Sequence, residues 1–223
     1  VRAVDRAKKF VKESIQSAAV VGKGVVPVNP LGSIHRRAEV ENAIKEVREA
    51  AELLSARREI THLVPEVGTN IAMVTSGASS VEDVVGLTGR IICVSGRPTV
   101  TGSPELGGSK HVARATLTAH RLNSEIKAGV NLRFSESTLR RLRRMGLSVV
   151  SFDRKKEPPN VKTMEWGVSQ AMKKSRSVPL VIFDRGAIGK EPMIRIFGSS
   201  ATQVALLALK IAGRGEPSGA LSH

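Results

Sequence analysis

The feature that most limits the fold is an alternation of strand-like and helix-like segments beyond residue 68. Short apolar runs rich in β-branched residues predict strands, whereas apolar residues at steps of three and four predict helices. The predicted strands are 69–76, 90–95, 97–101, 129–135, 147–153, 178–186 and 192–198, and the predicted helices are 109–121, 136–146, 165–174 and 200–213. Helices that alternate with strands cover a sheet, so the pattern predicts an α/β or α+β domain.

Two further helical patterns, separated by a loop rich in Gly and Pro, precede this region. Apolar residues recur at steps of three and four over 1–19 and again over 36–58. Because Gly and Pro cannot continue the first helix, we place a boundary near residue 32. We therefore divide the chain into a leading segment (1–31), a main domain (32–213) and a tail (214–223). The tail has little to bury and is expected to be mobile, and the initial Val leads us to expect further sequence upstream.

Composition excludes several classes of protein. With 41% hydrophobic and 25% charged residues, the chain is globular rather than disordered. The net charge of +15 favours anionic partners such as nucleic acid, acidic membranes or small phosphates. An aromatic content of 3% without Tyr disfavours base stacking, and no apolar run is long enough to span a bilayer. The one cysteine, Cys93, lies in an apolar run, so we interpret it as a buried thiol of a cytoplasmic protein.

The stretch 90–114, RIICVSGRPTVTGSPELGGSKHVAR, has the features of an anion site. The pair Gly107 and Gly108 leads to Ser109, which we predict to cap a helix. A helix start presents free backbone N–H groups and the positive end of the helix dipole, an arrangement that binds phosphate. The cationic or protonatable groups in the stretch are Arg90, Arg97, Lys110 and His111.

His111 is what favours a functional interpretation of this stretch. Without it, a glycine turn followed by an ordinary helix cap explains the pattern equally well. The positive end of a helix disfavours protonation of an imidazole in the first turn, so His111 is expected to be neutral and free to hydrogen-bond a ligand. A neutral histidine beside an arginine and a phosphate-binding helix start suits a departing diphosphate.

Two other charged groups have a plain alternative explanation. Asp184, Arg185, Lys190 and Glu191 flank a glycine loop between two predicted strands, where substrates commonly bind. On spacing alone we favour a polar hairpin with surface ion pairs. Asp153 and Arg154 end another strand and face either a pocket or solvent. The run LRRLRR at 139–144 is interpreted as a solvated basic helix face rather than a nucleic-acid contact.

From the helix at 36–58 to Ile211, the sequence resembles the archaeal ThiN-type thiamine-phosphate synthase domain. The resemblance rests on VEDVVGLTGRI (81–91), SGRPTVTGSPELGGSKHVARATL (95–117), NLRFSE (131–136), GLSVVSFDR (146–154), WGV (166–168) and VIFDRGAIGKEPMIRIFG (181–198). Residues 7–31 look like the last helix and tail of a hydroxymethylpyrimidine (phosphate) kinase, because GKGVVPVNP keeps the GKG and PVN of that family's pattern. This second resemblance implies a kinase domain upstream in the same native chain.

The resemblance implies a fold, an activity and a site. The fold is a three-layer α/β/α sandwich around a mixed, largely antiparallel sheet, similar to the class II aldolase fold. The family is a transferase of thiamine biosynthesis that joins hydroxymethylpyrimidine diphosphate to hydroxyethylthiazole phosphate and releases diphosphate. Its essential arginine and histidine fall on Arg90 and His111. Further candidates for binding the substrates and their phosphates are Arg97, Gly107, Gly108, Ser109, Lys110, Arg133, Asp153, Arg185, Lys190 and Glu191.

The cofactor and the alternatives follow from the same comparison. Mg²⁺ bridging the diphosphate is expected, with Asp153, Asp184 and Glu191 as contributors and no ligand set chosen among them. Some relatives are regulators that sense thiamine phosphates without catalysis, and these lack the Arg–His pair and the leading helix. Because this sequence has both the pair and the helix, the resemblance favours the enzyme. Binding of nucleic acid is disfavoured, and the oligomeric state stays open, with a homo-oligomer among the alternatives.

Overall fold

A seven-stranded mixed sheet forms the centre of the computed structural model, which describes residues 2–18, 22–159 and 161–213. The described residues form nine strands, of which seven belong to this sheet. They are β1 (Ile71–Val74), β2 (Val84–Leu87), β3 (Ile91–Val94), β4 (Arg97–Val100), β5 (Pro104–Leu106), β6 (Ala128–Arg133), β7 (Ser148–Ser151), β8 (Leu180–Asp184) and β9 (Met193–Gly198). The sheet order is β5-β2-β1-β6-β9-β8-β7, and β3 and β4 form a separate hairpin. Only β7 and β8 pair in parallel, which confirms the largely antiparallel sheet.

Helices cover both faces of this sheet. The α-helices of the described residues are α1 (Arg2–Gln16), α2 (Gly32–Ser55), α3 (His111–Leu122), α4 (Glu136–Arg144), α5 (Thr163–Met172) and α6 (Ala201–Ala212). Leu54 of α2 and Val204 of α6 belong to one buried cluster together with Val130 of β6. On the opposite face, α3 and α5 bury Ala115 and Val168 against the sheet. The predicted three-layer α/β/α sandwich is therefore confirmed.

Side-chain caps begin α6 and a short 3-10 turn, as the patterns of Ser200 with Gln203 and of Ser80 with Asp83 in the sequence predict, but the start of α3 differs from its prediction. Ser200 accepts a hydrogen bond from the backbone N–H of Gln203 and caps α6, and Ser80 with Asp83 forms a capping box. Ser109 was wrongly predicted as the cap of α3. Lys110 occupies the N-cap position and makes no side-chain capping bond. Ser109 is instead buried against β2, so among the described residues neither Ser109 nor Lys110 caps the N–H groups at the start of α3 with its side chain.

Two strands and one thiol differ from the sequence prediction. The strands β2 and β5 were not predicted, because VVGL is buried on both faces and β5 has only three residues and starts with Pro104. Cys93 was wrongly interpreted as buried. Its apolar run belongs to the β3–β4 hairpin, which lies outside the large sheet, and its thiol is exposed.

The leading helix α1 packs against α2 while keeping an apolar face uncovered. Val4, Val11 and Ile15 are 59%, 53% and 57% exposed. Among the described residues, every helix is too short or too polar to cross a membrane. The tail 214–223, predicted to be mobile, lies outside the described residues.

Candidate active site

One end of the sheet gathers most of the residues predicted to be functional. Asp184 at the end of β8 pairs with Met193 at the start of β9, and Arg133 at the end of β6 pairs with that same residue. Because β7 runs parallel to β8, the segment after β7 reaches the same end. The segment after β2 also lies there, since Thr69, just before β1, bridges to Ile91. The predicted residues at this end are Arg90, Arg133, Asp153, Asp184, Arg185, Lys190 and Glu191.

His111 lies at the same end because it is the first residue of α3, which packs along β1 and β6. The pKa of its imidazole lies below the ordinary value, first because the ring is partly desolvated. The guanidinium groups of Arg114, Arg90, Arg195 and Arg154 lower it further, in that order of strength. This direction favours the neutral imidazole that the sequence predicted, but the causes are burial and arginine charges, whereas the prediction rested on the positive end of the helix.

Arg90 and Glu191 both hold the loop before β1. Arg90 Nη1 donates to the carbonyl of Val67. Glu191 accepts hydrogen bonds from the backbone N–H groups of Glu66 at 3.1 Å and of Val67 at 3.4 Å. The two predicted residues are therefore brought to the same loop, and the Arg90 side chain is exposed.

A buried trio of charges forms the floor of this region. Asp184 is fully buried and accepts from Arg154 Nε at 2.5 Å and from Arg195 Nη1 at 2.8 Å. It also accepts from Arg154 Nη2 at 3.2 Å and from the N–H of Gly186 at 2.9 Å. Arg195 lies over the ring of Phe152, 6.0 Å from its centroid. Asp184 was therefore wrongly considered as a metal ligand, because both its oxygens are occupied by arginines.

The glycine loop positions His111 rather than adding charge. A Cβ on Gly108 would lie 2.2 Å from the carbonyl oxygen of Gly86 in β2, so no side chain fits there. Gly107 has a φ of 71°, which favours glycine. This close approach fixes the start of α3 against β2, and it leaves Lys110 exposed beside His111.

Several predicted residues contact neighbouring side chains near the surface, and Arg185 also lies over the rings of Phe134 and Phe183, 5.4 Å and 5.9 Å from their centroids. Arg185 pairs with Glu136 at 2.5 Å and Lys190 with Glu157 at 3.9 Å, both as exposed cations in surface ion pairs. Asp153 accepts from the backbone N–H of Lys155 and caps a 3-10 turn.

Arg133 and Arg97 lie apart from His111. Arg133 is exposed, and its charge helps to lower the pKa of His62 rather than that of His111. Arg97 is exposed next to the turn of the β3–β4 hairpin, about 10 Å along the strands from the hairpin base. The structure does not bring these two residues into the His111 cluster.

Three arginines of the cluster were not assigned from sequence. Arg114 follows His111 by one helical turn, and its Nε is buried without a hydrogen bond although it lies 3.4 Å from Glu165 Oε1. Arg195 is the one charged residue of MIRIFG, and a charge inside an apolar strand signals a buried partner. Arg154 was noted only as the end of a strand.

The two histidines with lowered pKa values give a pH prediction. Burial is the first cause for His62 as it is for His111, and nearby arginines add to it in both cases. The unfolded chain takes up protons at these positions below about pH 6.5, whereas the folded chain takes them up only at lower pH. The free energy of unfolding should therefore fall between pH 7 and pH 5.

Urea unfolding at the two pH values measures this loss of stability. A variant carrying both His62→Gln and His111→Gln should lose less stability over the same range, since Gln does not titrate. An equal loss in the variant and the parent chain would show that these histidines are not the cause.

The His, Cys, Asp and Glu side chains of the described residues do not form a complete metal site. Among residues 2–18, 22–159 and 161–213, no three His, Cys, Asp or Glu side chains converge to hold a metal ion. Of the two other predicted carboxylates at this end of the sheet, Glu191 accepts backbone N–H groups with both of its oxygens, whereas Asp153 accepts the N–H of Lys155 with Oδ1. Mg²⁺ needs only one or two carboxylates when phosphate oxygens complete its shell, so Asp153 fits a metal that arrives with a diphosphate, and Glu191 fits one only if it releases its backbone hydrogen bonds.

Comparison with known proteins identifies one family across most of this chain. The family model of thiamine-phosphate synthase ThiN matches residues 46–210. Thiamine-phosphate synthase ThiN of Methanothermobacter thermautotrophicus is 41% identical over 178 residues, covering 78% of this chain and 92% of that protein. The bifunctional thiamine biosynthesis protein ThiDN of Methanocaldococcus jannaschii is 46% identical over 143 residues, which are 64% of this chain and 34% of that protein.

Solved structures extend the comparison to the fold. The crystal structure of the C-terminal domain of phosphomethylpyrimidine kinase superposes with a TM-score of 0.70 at 31% identity. It covers 77% of this chain and 98% of that domain. An aldolase II superfamily protein from Pseudomonas syringae is also among the neighbours, at 14% identity and a TM-score of 0.44, too low to support a functional argument. With the family model spanning most of the chain and a relative matched over almost its whole length, the chain belongs to the thiamine-phosphate synthase ThiN family.

Proposed function

We propose that this chain is a thiamine-phosphate synthase, a transferase that joins hydroxymethylpyrimidine diphosphate to hydroxyethylthiazole phosphate and releases diphosphate. The observation that carries the proposal is His111 at the start of α3, whose pKa is lowered by burial and by the charges of four arginines, in a chain of this family. Such a cluster suits two anionic substrates and an anionic leaving group, and the reaction requires no nucleophilic side chain.

The chemistry places a clear demand on the protein. The bond between the pyrimidine methylene carbon and the diphosphate oxygen breaks, and its electron pair leaves with the diphosphate. The aminopyrimidine ring delocalises the positive charge left on the methylene carbon. The lone pair of the thiazole nitrogen then forms the new carbon–nitrogen bond. The protein must hold the two substrates in line and stabilise the charge on the departing diphosphate.

Arg90 and His111 are the residues to which we assign that stabilisation. Arg90 offers guanidinium N–H groups beside the loop that it anchors at Val67. His111 is neutral, so it can donate one hydrogen bond to a diphosphate oxygen from whichever ring nitrogen carries the proton. The N–H groups at the start of α3, which no side chain caps, point from the same helix end.

Mg²⁺ enters the proposal together with the diphosphate. When bound, it would neutralise charge on the diphosphate oxygens, with Asp153 as the carboxylate that would hold it; Glu191 would first have to release the N–H groups of Glu66 and Val67. We expect a chelator to lower turnover by at least about tenfold and added Mg²⁺ to restore it, as for other sites at which a metal ion neutralises the charge of a leaving group. Full activity in the presence of excess chelator would contradict this part of the proposal.

The leading helix supports a link to a kinase domain. In the bifunctional relative, the matched segment is about a third of the protein. The exposed Val4, Val11 and Ile15 of α1 form an apolar face that a preceding domain would cover. Amide hydrogen exchange of α1 should be slower in a longer native protein than in this chain alone. Equal exchange in both would argue against a domain docked on α1.

One assay tests the proposed function. The purified chain is mixed with both substrates, and thiamine phosphate and diphosphate are quantified together. We expect the two products in equal amounts and no thiamine phosphate when either substrate is omitted. Binding of thiamine phosphate without any turnover would instead support the sensor alternative.

A further inference from the structure

We infer a second phosphate-binding subsite at Arg154, separate from Arg90 and His111, which takes the phosphate monoester of the thiazole substrate. The inference rests on the proposed function, because it assigns one of that reaction's two anionic groups to its own place in the site. Three observations carry it. Asp184, Arg154 and Arg195, called the Asp184 trio below, are buried with an unbalanced charge, Arg154 has hydrogen-bond donors left, and Arg154 lies far from Arg90 on the sheet.

The Asp184 trio carries an excess positive charge in a buried position. The side chains of Arg154 and Arg195 are 8% and 6% exposed, and Asp184 between them is fully buried. Two guanidinium groups share one carboxylate, so the trio has a net charge of +1. A buried charge without a partner is unfavourable, whereas a bound anion at the exposed edge of the trio would balance it.

Arg154 has hydrogen-bond donors left for such an anion. Its Nε and one N–H of Nη2 donate to Asp184, and both N–H groups of Nη1 and the second one of Nη2 have no partner in the part of the chain that the structure describes. Asp184 holds the guanidinium in a fixed plane, so little side-chain entropy is lost when a phosphate binds. Arg195 lies beneath, packed over Phe152, and adds charge without being reached by solvent.

The sheet order separates Arg154 from Arg90. Arg90 follows β2 and Arg154 follows β7, which lie five strand positions apart in the sheet. At about 4.8 Å between neighbouring strands, their backbones are on the order of 24 Å apart. His111 lies between them, because α3 packs over β1 and β6. A reaction that joins two phosphorylated molecules needs such an arrangement, with one anion on each side of the reacting atoms.

The effects of the arginines on the pKa of His111 indicate which anionic group binds at Arg90 and which at Arg154. Arg114 and Arg90 affect the imidazole more than Arg195 does, and Arg154 affects it least. Arg90 and Arg114 therefore belong with His111 and the leaving diphosphate. Arg154 has the weakest effect of the four and follows β7, at the far edge of the sheet from Arg90, which leaves it for the other substrate, whose phosphate does not react.

Steady-state kinetics of Arg154→Gln test the subsite. We expect the KM for hydroxyethylthiazole phosphate to rise roughly 10- to 100-fold, as for the loss of charge-assisted hydrogen bonds. The KM for hydroxymethylpyrimidine diphosphate should stay within about threefold, a split that a merely structural role would not produce. Arg143→Gln, a change of an exposed arginine on α4, serves as the matched control and should alter neither value.

A rise in both KM values, or in that of the pyrimidine substrate alone, would overturn the assignment.

Calorimetric binding of hydroxyethylthiazole phosphate and of unphosphorylated hydroxyethylthiazole provides a readout without turnover. The parent chain should prefer the phosphorylated form, and Arg154→Gln should lose that preference; an unchanged preference would contradict the subsite. If Arg154→Gln does not fold, Arg154→Lys keeps the charge without the bidentate pair and should show the same loss. A parent chain that binds but makes no product would disprove the synthase while leaving the subsite intact.

Discussion

His111→Ala and Arg90→Gln will each lower the turnover of the two substrates by roughly 10²- to 10³-fold. Each change removes a donor aimed at charge that develops on the departing diphosphate, and single donors of this kind contribute on that scale. Both side chains are exposed, so the fold should persist. The measurement is kcat for thiamine phosphate formation, accompanied by urea unfolding to confirm that stability changes little.

Matched controls make this prediction specific. His35→Ala and Arg37→Gln replace the same residue types at exposed positions of α2 and should leave turnover near that of the parent chain. Near-normal turnover in either His111→Ala or Arg90→Gln would remove that residue from the proposed site. A loss of turnover in the controls as well would point to an effect of overall charge.

Asp184→Leu is expected to cost about 3–5 kcal/mol of unfolding free energy. The change leaves Arg154 and Arg195 buried without a counter-charge, and removal of one partner from a buried ion pair has effects of this size. Urea unfolding gives the value directly. Asp5→Leu, on the exposed side of α1, should change the free energy by less than about 0.5 kcal/mol.

A second variant distinguishes charge from packing at this position. Replacing the whole trio (Asp184→Leu, Arg154→Leu and Arg195→Met) removes the unpaired charges together with their partner. Apolar replacement of a buried ionic group often restores stability, so this triple variant should be more stable than Asp184→Leu alone. If Asp184→Leu were as stable as the parent chain, the trio would not be the floor of the site described above.

The layered architecture and the position of His111 at a helix start could be predicted from sequence because both depend on local patterns. Apolar periodicity predicted most strands and helices, and a glycine pair before a helix placed His111 at a helix start. The strands β2 and β5 were missed, since VVGL lacks alternation and a three-residue strand gives almost no signal. Cys93 was misjudged because an apolar run shows burial only if its strand joins the main sheet.

The arginines around His111 could not be assigned because their partners are distant in sequence. Arg195 lies in an apolar strand and therefore required a buried counter-charge, but sequence alone does not say that Asp184 supplies it. Arg154 reaches Asp184 only because β7 runs parallel to β8, and strand order is a property of the whole fold. The same pairing excluded Asp184 as a metal ligand, which its position after a strand had left open.

The most direct test of the account is a crystal structure of the chain with diphosphate and hydroxyethylthiazole phosphate bound together. We expect diphosphate at the start of α3, within hydrogen-bond distance of Arg90 and His111, and the thiazole phosphate at the free N–H groups of Arg154. The thiazole nitrogen should face the diphosphate across the gap that the pyrimidine would occupy. Diphosphate bound away from Arg90 and His111, for example in the cleft between α1 and α2, would contradict the central claim.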